Sequence, residues 1–157
     1  MKQISNIKSL LSIVGTNTTN NIELLNWGKR LGIKNLQVLM IDEIKNCNMT
    51  LPINIIVNIE TSKDQGAHWS CFHQSSSSAI YEDITKCYFD SYGLPPQKEI
   101  IEKFRSPIIV NDFIIQDFNT KICGQFCLYV LYKLNNGEKF LPILLDLETQ
   151  KLLKVKS

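Results

Sequence analysis

The chain has 157 residues, 44% of them hydrophobic, enough for one proper core and too few for a confident division, so a single domain over 1–157 is expected. Its 17 Lys and Arg against 15 Asp and Glu leave a formal charge of +2, far short of the basic excess that marks nucleic acid as a main partner. Five cysteines, at 47, 71, 87, 123 and 127, are odd in number and irregular in spacing, with no secretory signal before them. They argue against a disulfide framework and for a reducing, intracellular setting.

The opening "MKQISNIKSLLSIV" carries lysines near an apolar patch, but "LLSIV" is too short for a signal core or a membrane span. No membrane partner is expected. "GTNTTNN" (15–21) reads as a polar loop that caps a helix starting near Asn21. In "IELLNWGKRLGI", Ile22, Leu25 and the Trp27 to Leu31 pair recur at helical spacing, with Gly32 as the stop. Strands follow at 36–41, 53–59, 68–74 and 80–90, all rich in β-branched or aromatic residues, with the serines 75–78 as a hairpin loop between the last two. "PPQKEIIEKF" opens on Pro95 and Pro96 and has helical periodicity, and "DFIIQ" (112–116) has strand character. Two helices, 123–135 and 138–153, should close the chain. Strands in the middle and helices at both ends predict an α+β fold.

Candidate chemistry centres on "KICGQFCLYVLY" (121–132), where two cysteines stand one helical turn apart. Loop-like residues precede Cys123, and from Gly124 onward the helix is apolar nearly all round, as in a buried central helix. Cys123 is therefore expected at a buried helix N-terminus, where unpaired amides and the helix dipole favour a thiolate, the nucleophilic form. Gly124 would leave room for a substrate backbone, and the Cys123 amide would donate to a developing oxyanion. Cys127, one turn deeper, reads as packing.

A thiol nucleophile needs a base, and the base an orienter. The only histidines are His68 and His73, five apart in one expected strand and so on opposite faces. His68, followed by Trp69, is the candidate base. Asp90, at a strand end before "SYGLPP", is the candidate orienter, and Gln116, seven residues before Cys123, a neutral oxyanion donor. Neither "HWSCFH" nor "CGQFC" has the paired spacing of a zinc site, so no metal or other cofactor is expected. The order His, Asp, Gln, Cys excludes the papain arrangement, in which the cysteine comes first. A helix after the nucleophile argues against a chymotrypsin-like barrel, where it lies in a hairpin loop.

"GAHW" (66–69), "YFDSYGLPP" (88–96) and the glutamine at 116 before "CGQFCLYVL" (123–131) resemble the adenovirus-type cysteine proteases, or adenains. The versions carried by virophages and Polinton or Maverick elements are especially similar. The resemblance spans roughly 55–135 and is loose over the first 50 residues. It implies a papain-like or adenain-like fold, with a central mixed or antiparallel sheet flanked by helices. It also implies catalysis by Cys123 as nucleophile, His68 as base and then acid, Asp90 as orienter and Gln116 with the Cys123 amide as oxyanion hole. Trp69 would pack beside the substrate residues before the scissile bond, where narrow space favours glycine, and Gly124 would lie against the substrate. The implied substrate is a viral capsid or core precursor, and the implied location the virion and the cytoplasm of the infected cell. Adenoviral enzymes are activated by DNA and by a peptide that can disulfide-link to a cysteine upstream of the nucleophile. Here no cysteine lies between Cys87 and Cys123, which argues against covalent peptide activation of that kind, and the charge gives no support for DNA activation, so the sequence supports neither activator. Two other readings remain: a protease of ubiquitin-like conjugates, and a non-catalytic capsid- or nucleic-acid-binding module on the same fold.

Overall fold

The computed structural model of the chain describes residues 4–59, 68–76, 86–116 and 120–156, with side chains through 151. A first helix, α1 (Ile7–Val14), is capped by Asn6, whose side chain accepts from the Ser9 amide. Length alone had been weighed in this segment, yet a side-chain cap before an apolar stretch is a helix start. The second helix, α2 (Asn21–Arg30), begins where the polar loop predicts. Asn20 accepts from the Glu23 amide and Glu23 returns a bond from the Asn20 amide, a reciprocal capping box. Its buried face differs from the expected one: Leu24 and Gly28 are buried, whereas Ile22 is 66% exposed. Gly28 lies against the Leu36 side chain, in space where any Cβ would collide.

Five strands follow: β1 (Leu36–Met40), β2 (Ile53–Asn58), β3 (Trp69–Gln74), β4 (Lys86–Phe89) and β5 (Ile109–Val110). They form one mixed sheet in sequence order, with β1 and β2 parallel, β2–β3 and β3–β4 antiparallel, and β4 and β5 parallel. Each parallel pair needs a crossover. A 3₁₀ helix (Ile41–Asn46) lies in the first, and α3 (Lys98–Phe104) in the second. The remaining helices are α4 (Cys123–Asn135) and α5 (Phe140–Lys156). The protein is thus α+β. Residues 80–85, 77–78, 66–67 and 117–119, on which parts of the expected strand, hairpin loop, motif and pre-cysteine loop fall, lie outside the described residues.

One expected strand is corrected. "DFIIQ" does not join the sheet; the strand here is Ile109–Val110, and 112–116 is irregular. The reason is local: the amides of Ile115 and Gln116 both donate to the Ser91 carbonyl, at 2.8 and 2.9 Å. Backbone bonding to a turn has replaced a ladder, overriding β propensity.

Alternation along the strands feeds two cores, one on each face of the sheet. Ile55, Val57, Phe72 and Tyr88 face α3 and the 3₁₀ helix, packing with Ile41, Ile44, Ile100 and Phe104. Ile56, Trp69, Cys71, Cys87 and Phe89 face the larger core, built on Phe126 to Tyr132 of α4 with Leu10, Leu24, Phe140, Ile143, Leu144 and Leu147 around them. Residues Cys123 to Lys133 of α4 are all buried, as its unbroken apolar pattern predicts. The central helix therefore rests against the middle of the sheet and its first residue emerges at the end where β3 begins and β4 stops.

Candidate active site

His68 immediately precedes β3 and Asp90 immediately follows β4. Since the two strands are antiparallel with Cys71 opposite Phe89, both residues fall at the same end of the sheet. His68 Nε2 and Asp90 Oδ2 are 2.8 Å apart, with His68 9% and Asp90 0% exposed. The other carboxylate oxygen, Oδ1, accepts from the Tyr92 amide at 2.8 Å. Asp90 is thus both a turn-forming residue and the partner of the histidine. A buried carboxylate with two charge-assisted hydrogen bonds is held in one orientation.

Residues not singled out from sequence complete this support. Asn111, 2% exposed, accepts from the Asp90 amide through Oδ1 at 3.0 Å and donates through Nδ2 to the Asp90 carbonyl at 2.6 Å. Tyr92 stacks on the His68 ring, with centroids 4.7 Å apart and planes 16° from parallel. Nothing in the spacing marks Asn111, but Tyr92 lies inside the "YFDSYG" stretch, where an aromatic two residues beyond the acid is a readable signal.

Cys123 opens α4 and is 5% exposed. Its sulfur accepts the Trp69 amide at 3.4 Å, which ties the nucleophile candidate to the residue after His68. The residue before it, Ile122, supplies no side-chain cap to the helix. His68 Nδ1 is buried and makes no hydrogen bond of ordinary geometry. Burial alone would hold the imidazole below its usual pKa, but Asp90 and the neighbouring Cys123 sulfur outweigh it and push the ring up to about 9. His73, at the other end of β3, donates from Nδ1 to Asn54 at 2.7 Å, and burial pulls it down to about 4. The two histidines thus differ in charge at neutral pH.

Gln116 is 1% exposed and its amide is oriented by two neighbours: the Ser91 hydroxyl donates to Oε1 at 2.6 Å, and Nε2 donates to the Thr120 carbonyl at 2.9 Å. Its donor end therefore faces the segment leading into Cys123. Gly124 behaves differently from expectation. A Cβ there would overlap the Thr19 hydroxyl and lie 3.0 Å from Leu24 and 3.3 Å from the Trp69 ring. The space is filled by the protein itself, so the missing side chain lets the loop before α2 and Trp69 close on α4. That loop is fastened twice more, by Gln125 Nε2 donating to the carbonyls of Gly15 and Asn17 at 3.1 and 2.7 Å, and by Trp69 Nε1 donating to the Thr19 carbonyl at 3.3 Å.

Cys127 and Cys87 are buried, and burial holds both well above the usual thiol range, with Cys71 adding to the effect. Among the described residues no group of three or more His, Cys, Asp or Glu is placed to hold a metal ion, and no helix is long and apolar enough to cross a membrane. Chemically, the arrangement can offer a sulfur nucleophile, a protonated imidazole and polarised amides to one reacting carbonyl. Compared with known proteins, the chain matches no family model and no curated protein.

Proposed function

We propose that this chain is a cysteine endopeptidase with a papain-like or adenain-like architecture, of the adenovirus type. The observation that carries the reading is the junction of His68 Nε2 with Asp90 Oδ2 at 2.8 Å beside a cysteine at the start of a buried helix. Orienter, base and nucleophile come from three elements, and a packing role for any one does not require the other two.

In this reading, Cys123 and His68 rest as a thiolate and an imidazolium, since a ring pushed up to about 9 stays protonated at neutral pH. The thiolate attacks the scissile carbonyl, and the oxyanion is met by the Cys123 amide and Gln116. The imidazolium gives its proton to the leaving amine and the thioester forms. Neutral His68 then takes a proton from water, whose oxygen attacks the thioester; the C–S bond breaks, the acyl product leaves as the acid, and the thiolate is regenerated beside the imidazolium. Asp90, Tyr92 and Asn111 keep the ring in plane and in register.

The substrate proposed is a viral capsid or core precursor, cut during assembly within the virion or the cytoplasm of the infected cell. The test is incubation of the chain, and of Cys123→Ala, with the capsid precursor of its own virus, followed by mass mapping of new termini. Termini produced by the unsubstituted chain alone support the reading. Full processing by Cys123→Ala sinks it in favour of a non-catalytic module, and cleavage of ubiquitin-like conjugates but not of the precursor moves the substrate to the second enzyme reading.

A further inference from the structure

Trp69 borders a cleft of about 340 Å³, lined also by Thr19, Asn20 and Asn21, by Val38, Leu39, Met40 and Glu43, and by Asn58. Trp69 joins it to the nucleophile, because its ring lines the cleft while its amide donates to Cys123 Sγ at 3.4 Å. The lining has two parts. Val38, Met40 and Trp69 offer apolar side chains, while the side chain of Leu39 packs into the core on the opposite face of the sheet. Among the described residues Glu43 is the one charged residue in the lining, and it is exposed at the surface, with Oε1 accepting from the Met40 amide at 2.8 Å. A carboxylate accepts several bonds at once, so that contact does not exhaust it.

The α2 N-terminus also borders the cleft, and its dipole alone would attract an anion. Glu23 in the first turn opposes that, bonded to the Asn20 amide at 3.2 Å. Among the described residues the lining holds no Lys, Arg or His, so the acidic side chain of Glu43 sets the sign there.

We propose that this cleft is the subsite for a substrate side chain on the acyl side of the scissile bond, and that it selects a long, unbranched, cationic side chain, lysine foremost. The methylene stem lies along these apolar side chains and the ammonium reaches Glu43, the division that amphipathic side chains make between surface and solvent. The inference rests on the peptidase reading and names the specificity of that same site.

The experiment uses a positional-scanning library of acetylated tetrapeptide aminocoumarin amides with the full chain. The same peptides as carboxamides are used for binding to Cys123→Ala. At one acyl-side position lysine should exceed glutamate by about fivefold in kcat/KM, the size of an exposed ion pair. Glu43→Gln, which keeps an acceptor for the Met40 amide, should reduce that ratio to near one, and Glu43→Lys should invert it. Raising salt should shrink the ratio in the unsubstituted chain. Equal cleavage of lysine, leucine and glutamate peptides, or a ratio unchanged in Glu43→Gln, overturns the proposal while leaving the peptidase standing. If nothing is cleaved but Cys123→Ala still binds lysine peptides in a Glu43-dependent way, the cleft assignment survives as a binding site and the peptidase reading fails. Absence of both cleavage and selective binding overturns the two together.

Discussion

Reactivity at Cys123 depends on what surrounds one sulfur, and the five thiols of the chain provide an internal comparison. Cys127 shares the helix but is fully buried, and burial holds its thiol well above the ordinary range. Iodoacetamide at neutral pH should therefore label Cys123 well before Cys127 or the half-buried Cys47, read by peptide mass mapping. Equal rates would remove the ion pair from the argument. Asp90→Asn should bring the His68 ring down from about 9 toward its ordinary value, followed by proton NMR of the imidazole, because a carboxylate that favours the imidazolium is lost. The sign for stability follows. A histidine raised in the folded state contributes fully below its unfolded pKa and loses that contribution as pH rises through about 9, so the wild-type chain should lose more stability than Asp90→Asn between neutral pH and pH 9 and above. For Gln116→Ala, loss of one oxyanion donor predicts a fall of about a hundredfold or more in kcat with a smaller change in KM. His68, Asp90 and Cys123 could be picked out in the sequence because they belong to the few side-chain types that serve the proposed chemistry, in a known order. Tyr92 acts through stacking and was readable only as an aromatic two residues beyond the acid, whereas Asn111 acts through backbone bracing, which any carboxamide can do, and carried no signal of its own.

At the scale of elements, what was legible follows from the local or non-local origin of each. The α2 start was readable because its capping box lies within four residues, and α4 because an all-round apolar pattern admits only burial. The buried face of α2 was misjudged because Gly28, invisible to an apolar count, makes the closest approach to β1. "DFIIQ" was misjudged because its backbone partner, the Ser91 carbonyl, is over twenty residues away. The glycine after the nucleophile belongs here too. Gly124→Ala should destabilise the fold by about 1–3 kcal/mol through overpacking, partly offset by better helix propensity, measured by urea denaturation. Thr19→Ser keeps the hydroxyl and should give little relief, whereas Thr19→Gly in the double variant should recover part of the loss. Additive losses would mean that Thr19 is not the obstacle.

Over the whole molecule, the sheet separates two polar ends with opposite demands on pH. One end holds His68 charged; the other holds His73 neutral in a buried network that joins three elements. There Asn54, 1% exposed, accepts from His73 and donates to the Lys34 carbonyl at 2.6 Å, and Asn135 of α4 donates to Asn54 at 3.0 Å and to the Leu131 carbonyl at 2.7 Å. This network fastens the last turn of α4 to β2 and β3, while Trp69 and Gln125 fasten its first turn. Both ends of the helix that carries the proposed nucleophile are thus pinned by polar contacts, and its middle by apolar ones. A histidine lowered to about 4 is neutral in the folded chain while the unfolded chain takes up a proton near 6.5, so stability is full above 6.5 and declines as pH falls through about 4. A shift of that size corresponds to about 3 kcal/mol between pH 7 and pH 4. Carboxylates titrate over part of the same range, so the measurement is a difference. In urea denaturation at pH 7, 5.5 and 4, His73→Gln should be less stable than wild type at pH 7, having lost a close hydrogen bond, and should lose less on acidification. Parallel pH profiles for the two chains would show that His73 takes up its proton without opening the network, and that the acid response of the fold lies elsewhere.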